Sequence, residues 1–390
     1  MYTPTHTEFI NIVPMFPNGT GYKDSIEMPG SEILESVVPR TIVIGKSTIQ
    51  RIPDIIQSLG LKQKIMILTG PHTRYVVGEE IYDEVTNQGM ESEVIIVENA
   101  TVEAANTYAD LVKQYKPNVL ICAGGGKNID VGKYCLNNIS NNVEMISVPT
   151  STSHDGLASP FIFLNNPTET FIGECRPPIA VIADVEKILG HPDLVRYIAA
   201  GVGDTVGKIT AIWDWRHAWR IKSEKFSRFV GGVLENADTL FQSQVSEALV
   251  DPEHAIQVVL KALLIAGVLM GTSNNVRVGY GSEHMFSAAL AAQTPNADIL
   301  HGERIALGAI MMAKLQGQNH EKIVNILKNV GCPTNIEDLK DDIPPEAIVT
   351  ALHTAHETNS MYTVLGQSGL TKTAALNIAQ TTGVLNKLHK

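Results

Sequence analysis

Short runs of apolar and β-branched residues recur along the first half of the chain, at Thr41–Ile44, Lys64–Leu68, Glu93–Val97, Asn118–Cys122, Glu144–Val148 and Ile179–Ile182. Between the earlier runs lie segments with apolar residues three and four apart, as in Val102–Lys113. Apolar strands alternating with amphipathic helices predict a parallel sheet covered on both faces, with ligands at the carboxyl ends of its strands. The texture changes after Gly190. His191-Pro192-Asp193 punctuates the chain and can start a helix, since Pro suits a first turn and Asp its positive end. Helical periodicity then dominates: Ala237–Ala248, Ala255–Met270, His284–Ala292, Arg304–Gln316, Glu321–Asn329, Glu346–Thr358 and Lys372–Leu388. The expected organisation is an N-terminal arm over 1–30, a dinucleotide-binding α/β domain over 31–190, and an all-helical domain over 191–390.

Composition narrows the function. A chain of 390 residues, at roughly 150 per domain, holds two domains or three. Its 41 acidic against 30 basic residues leave a net charge of −11, which repels a phosphate backbone and argues against nucleic acid as a partner. The four cysteines (Cys122, Cys135, Cys175, Cys332) are scattered, which fits a reducing cytosol and excludes a cysteine-built zinc site. The most apolar run, Ala262–Met270, is nine residues long, and a bilayer needs about 20. A soluble cytoplasmic protein with no integral membrane segment is therefore expected.

Two turns carry candidate ligand chemistry. The buried-strand pattern Asn118–Ala123 runs into Gly124-Gly125-Gly126-Lys127-Asn128-Ile129-Asp130 and then an amphipathic helix. Consecutive glycines let a backbone approach a pyrophosphate, and the following helix offers free N–H groups. The spacing is neither a Walker loop nor Gly-x-Gly-x-x-Gly; nucleotide binding is the favoured reading, and a tight strand-to-helix turn the alternative. After the next strand comes Pro149-Thr150-Ser151-Thr152-Ser153-His154-Asp155-Gly156-Leu157-Ala158-Ser159-Pro160. Its hydroxyls could meet a nucleotide, or simply cap a loop.

Metal-ligand candidates lie further on. His284 follows a glycine-rich turn and His301 opens another helix, while Asp204 sits in a small-residue, otherwise apolar helix where a carboxylate needs a partner. Two imidazoles and a carboxylate leave a position open for substrate, as catalytic zinc sites do. A second group, His353 and His356 beside Glu357, reads better as a solvated helix face. His254 reads as a first-turn helix residue without a role.

Taken in order, Gly-Gly-Gly-Lys-x-Ile-Asp, Pro-Thr-Ser-x-x-Ser-x-Asp-Gly-x-x-Ser-Pro, Gly-x-Gly-Asp, Ser-Glu-His and His-Gly-Glu resemble the superfamily of iron-containing alcohol dehydrogenases, glycerol dehydrogenases and dehydroquinate synthases. Within it, Gly203–Trp215 and Gly281–Ser287 are similar to the sn-glycerol-1-phosphate dehydrogenases. The resemblance covers about residue 35 to 390 and implies a dehydroquinate synthase-like fold with an active site between its domains. It implies NAD(H) or NADP(H) at Gly124, Gly125, Gly126, Lys127, Asn128, Thr150, Ser151, Thr152 and Ser153, with Ser159 nearby. It implies Zn2+ on Asp204, His284 and His301, and substrate contact by Asp155. The implied reaction reduces dihydroxyacetone phosphate to sn-glycerol 1-phosphate, the glycerol backbone of archaeal ether lipids. Lys208, one turn after Asp204, is expected to pair with the substrate phosphate.

Two departures stand out. Ala288 occupies a position where relatives often place a second His beside the substrate. The second strand ends Leu68-Thr69-Gly70-Pro71-His72-Thr73-Arg74, with no acid to hold an adenosine ribose, so NADPH should be accepted as well as NADH. A homo-oligomer is expected from the apolar helical half. The alternatives are a glycerol dehydrogenase acting on unphosphorylated polyol, a dehydroquinate synthase, and a non-catalytic protein that binds metal and nucleotide. Relative activity on phosphorylated and free substrate separates the first; the carboxylate at the metal being Asp rather than Glu counts against the second; turnover itself excludes the third.

Overall fold

The computed structural model describes residues 36–139, 143–165, 170–248 and 250–386; the arm over 1–30 lies outside them. Eight strands are present among these residues: β1 (Thr41–Gly45), β2 (Lys64–Thr69), β3 (Glu91–Ile96), β4 (Val119–Gly124), β5 (Glu144–Pro149), β6 (Phe161–Asn165), β7 (Thr170–Glu174) and β8 (Ala180–Asp184). Six form one parallel sheet in the order β1-β8-β5-β4-β2-β3, and β6 and β7 make an antiparallel hairpin. All six runs read from the sequence became strands of that sheet. The hairpin went unread.

The sheet's residues divide by parity, as the two-residue strand period requires. Ile65, Ile67, Val119, Ile121, Ile146 and Ile182 face α1 (Ile52–Ser58) and α2 (Glu79–Asn87). Met66, Leu68, Leu120, Cys122, Met145 and Val181 face the opposite way, toward α3 (Val102–Tyr115) and α4 (Gly126–Asn137). That second core runs on without interruption into the C-terminal helices. From β2 the chain goes outward to β3 and then crosses to β4 on the other side. This reversal opens a crevice at the carboxyl ends of β2 and β4.

After the short α5 (Val185–Leu189) come α6 (Leu194–Lys222), α7 (Arg228–Ala248), α8 (Pro252–Ser273), α9 (Ser282–Gln293), α10 (His301–Leu315), α11 (His320–Asn329), α12 (Pro345–Thr354) and α13 (Lys372–Thr381). Asp193 is the N-cap of α6, so Pro192 precedes the helix rather than filling its first turn. The nine-residue estimate of the longest apolar segment was too short. α8 has 22 residues and a window of mean hydropathy 2.0, enough by length and composition to cross a membrane. Two-thirds of that window is buried, against α6 and α7 among others, because a helix enclosed by its neighbours needs no polar face.

Helices α6 and α10 approach unusually closely. A Cβ at Gly203 would stand 2.3 Å from the Gly302 carbonyl oxygen, and one at Gly302 would stand 1.8 Å from that of Ala200. Only hydrogens in both places allow this contact, which brings Asp204 and His301 together.

Candidate active site

At the end of β4 the chain turns through Gly124, whose φ of +145° is a conformation that side chains rarely adopt. A Cβ at Gly126 would meet His154 Nε2 at 2.3 Å, whereas one at Gly125 would meet only Ser151 Oγ within 4 Å, at an ordinary contact distance of 3.9 Å. The turn is thus tight on two sides and clear on the third, where a phosphate group can reach the N-terminus of α4. Asn128 Nδ2 donates to Thr73 Oγ1 and to the Ala123 carbonyl, tying this turn to the one after β2. Thr150 N–H donates to the Gly124 carbonyl at 3.0 Å, so the two polar turns lie side by side. Ser151 and Ser153 share a hydrogen bond, and Lys127 is exposed.

Two of the expected cofactor residues are held by internal hydrogen bonds. Thr152 is fully buried and donates to the Tyr197 carbonyl of α6. Ser159 is fully buried as well, bonded to Lys133 Nζ and the Phe161 N–H. Both hydroxyls brace the loop from within, because a sealed hydroxyl needs an internal partner. Lys133, absent from the sequence-based candidates, also pairs with Asp130 at 3.0 Å.

The three metal-ligand candidates converge. Asp204 Oδ1 lies 3.7 Å from His284 Nε2 and 3.8 Å from His301 Nε2, and one donor atom from each residue falls within 4.8 Å of the others. These separations are too long for hydrogen bonds. They approach the ~3.4 Å spanned by two ligands on one ion with tetrahedral bonds of about 2.1 Å. Asp204 Oδ2 is buried and has no hydrogen-bond partner among the described residues, which leaves an acceptor free for a cation. Burial, reinforced by His284 and Arg304, holds the His301 imidazole well below its usual value, hence neutral and able to ligate. The donor set fits a divalent metal.

The fully buried Glu283 fixes the ring beside it. Its Oε1 accepts from His284 Nδ1 and from the Gly281 N–H, both at 2.8 Å, and its Oε2 accepts from Thr210 Oγ1 at 2.7 Å. With Nδ1 carrying the proton, Nε2 presents its lone pair to Asp204. Asp214 holds the start of α9 by accepting from Ser282 N–H and Oγ and from Val364 N–H; burial, then Glu283, pushes its carboxyl up to about 7. Glu303 takes Arg196 in a two-pronged pair at 2.6 and 2.8 Å and caps α10 through the Leu300 N–H.

Lys208 is in the site, but not free. Its buried Nζ lies 2.7 Å from Asp155 Oδ2 and 2.9 Å from Asp204 Oδ1. Burial acts to lower the ammonium, but the two carboxylates win and hold it above its usual value. Burial raises the Asp204 carboxyl, an effect Lys208 only partly offsets. At Asp155 burial again raises, but Lys208 prevails and the group sits low. His154 accepts the Gly156 N–H on Nδ1, and burial, then Lys133, lowers it to about 4. His353 and His356 do not form the solvated face expected of them. Both are partly buried, their Nδ1 atoms bonded to the Leu370 and His353 carbonyls.

Comparison with known proteins agrees with this architecture. The model of the iron-containing alcohol dehydrogenase family matches residues 43–192. A protein of Staphylothermus marinus named glycerol-1-phosphate dehydrogenase (NAD(P)+) is 38% identical over 92% of this chain and 100% of its own length. One of the same name from Sulfurisphaera tokodaii is 35% identical over 91% and 100%. This chain belongs to the glycerol-1-phosphate dehydrogenase family. Among solved structures, a probable glycerol dehydrogenase from Sinorhizobium meliloti superimposes with a TM-score of 0.72 at 16% identity, over 89% of this chain and 97% of that one. A sulfoacetaldehyde reductase from Bifidobacterium kashiwanohense, in complex with NAD+, gives 0.69 at 17%, over 92% and 100%. These two share the fold with this glycerol-1-phosphate dehydrogenase family member.

Sequence reasoning assembled the triad but left Glu283, Asp214 and Arg304 without roles. Glu283 had a readable signal, a carboxylate next to a ligand His. Asp214 had none, because its partners are distant in the chain.

Proposed function

We propose that this chain catalyses the reversible NAD(P)H-dependent reduction of dihydroxyacetone phosphate to sn-glycerol 1-phosphate. The observation that carries the reading is the near-complete match, at 34–38% identity, to proteins of that name. The triad at the crevice supports it.

The reaction adds a hydride to the carbonyl carbon and a proton to its oxygen. A divalent ion on Asp204, His284 and His301 would supply Lewis acidity toward that oxygen, and a reduced nicotinamide the hydride. Two imidazoles and a carboxylate suit zinc, our proposal, and would also take iron or nickel. Gly124, Gly125, Gly126 and Asn128, with Thr150, Ser151 and Ser153, shape the dinucleotide site. Asp155, low in pKa and anchored by Lys208, is an acceptor for a substrate hydroxyl and helps decide which face of the carbonyl is presented. Lys208 offsets one of the two buried negative charges beside it. With its ammonium ion-paired to two carboxylates, it is a weaker candidate for the phosphate than its position in the sequence suggested.

The product would serve as the glycerophosphate backbone of ether lipids. A homo-oligomer is supported by Phe229, Val233 and Leu240, exposed along α7; a cytoplasmic location is supported by four free, buried cysteines. The test is nicotinamide oxidation with dihydroxyacetone phosphate, with chiral analysis of the product. Activity should vanish with chelator and return with zinc. Turnover that survives complete metal removal, or a product of the opposite configuration, would refute the reading.

A further inference from the structure

Arg304 lies one turn after His301 on α10, and Ser287 one turn after His284 on α9. The guanidinium joins the two helices: Nε donates to Ser287 Oγ at 3.4 Å and Nη1 to the Ile299 carbonyl at 2.6 Å. Among the described residues no carboxylate lies within ion-pair distance of it, since the adjacent Glu303 is turned toward Arg196. The fully buried cations among the described residues are matched: Lys208 by Asp155 and Asp204, Lys133 by Asp130, Arg277 by Glu224, whereas Arg304 is partly buried. Desolvation presses the Arg304 guanidinium down to about 10. A guanidinium partly withdrawn from water and given only neutral acceptors is placed to be completed by an anionic ligand.

We propose that Arg304, with the Ser287 hydroxyl, is the anchor that binds the substrate's phosphate and selects phosphorylated over free triose. This rests on the function proposed above. One helical turn rises about 5.4 Å, a step from the metal ligands comparable with the three bonds that separate a carbonyl carbon from its phosphorus in dihydroxyacetone phosphate. Ala288, small and only partly buried beside Ser287, leaves room there. The planar fork of Arg suits a dianionic phosphate, to which it can offer two parallel N–H groups.

The test uses zinc-replete enzyme with saturating NADPH, comparing wild type, Arg304→Gln and Arg304→Met on dihydroxyacetone phosphate and on dihydroxyacetone. Loss of a charge-assisted phosphate contact should lower kcat/KM for the phosphorylated substrate roughly 100-fold and leave the free triose within about threefold. Calorimetric titration with inorganic phosphate should show tenfold or greater weakening in both variants, at unchanged zinc content. Met replaces the uncompensated charge with an apolar stem of similar length, so R304M should match or exceed the wild-type Tm. A variant that loses both substrates equally, or an R304M that melts several degrees lower with phosphate affinity intact, would mark Arg304 as structural and overturn the anchor. A wild type that prefers dihydroxyacetone phosphate and keeps that preference after R304M overturns the anchor alone. A wild type with no such preference overturns the proposed function as well.

Discussion

Replacing Glu283 with Gln tests whether the metal triad is held by its buried neighbour. The substitution removes one negative charge and keeps the size of the side chain. Glu283 accepts three hydrogen bonds, from His284 Nδ1, the Gly281 N–H and Thr210 Oγ1. A Gln carbonyl can keep the two at Oε1, and the Thr210 hydroxyl can rotate to accept from the new amide, so the fold should survive. What weakens is the charged acceptor that keeps the His284 proton on Nδ1 and its ring basic at Nε2. Loss of such a partner typically costs 10- to 100-fold in metal affinity or activity, which corresponds to about 1.4–2.7 kcal/mol. Zinc affinity should be measured by competition with a chromophoric chelator, and turnover at saturating zinc, with thermal unfolding as a control. The expected result is a zinc Kd raised at least tenfold with Tm within a few degrees. A Kd within twofold of wild type would refute the assignment of Glu283 as the group that orients His284.

Three further outcomes follow from the structure. Gly125→Ala adds a methyl whose nearest neighbour is Ser151 Oγ at an unstrained 3.9 Å, so Tm should hold while KM for NADH and NADPH rises about tenfold, as a methyl displaces phosphate contacts; unchanged KM would place the dinucleotide elsewhere. Arg74, half-exposed and paired with Glu79 at 3.1 Å, is available to a 2′-phosphate because surface pairs are weak. Arg74→Ala should cut kcat/KM for NADPH about tenfold and leave that for NADH unchanged; equal losses would exclude the contact. His154, depressed from 6.5 to about 4, stays neutral in the folded chain while the unfolded chain takes up a proton. Stability should therefore fall as pH is lowered from about 6.5 to about 4, by about 3 kcal/mol. His154→Asn should flatten that dependence in denaturant titrations, and an unaltered slope would show that other groups cause it.

Much of this molecule was legible in the order of its residues, because the relevant physics is local. Parallel strands buried on both faces must be continuously apolar, and amphipathic helices must show their period, so the six-stranded sheet and most of the helical half could be read directly. The glycine turn and the three metal ligands were also visible, since backbone approach and metal coordination tolerate few residue types. The β6–β7 hairpin was not, because β7 (Thr170–Glu174) carries only two large apolar residues beside a glycine and both strands are bounded by polar and proline-containing stretches that read as loop. Helix α8 was read as Ala255–Met270 and runs Pro252–Ser273, but its enclosure was not legible, because the helices that cover most of it, α6 and α7 among them, are separate elements. Tertiary structure alone decided what each polar group does. It sealed Thr152 and Ser159 inside the loop, committed Lys208 to two carboxylates, placed Glu283 behind His284, and gave Arg304 only neutral acceptors among the described residues. A side chain's type is written in the sequence, but its charge state and partners depend on burial and on atoms that arrive from distant parts of the chain.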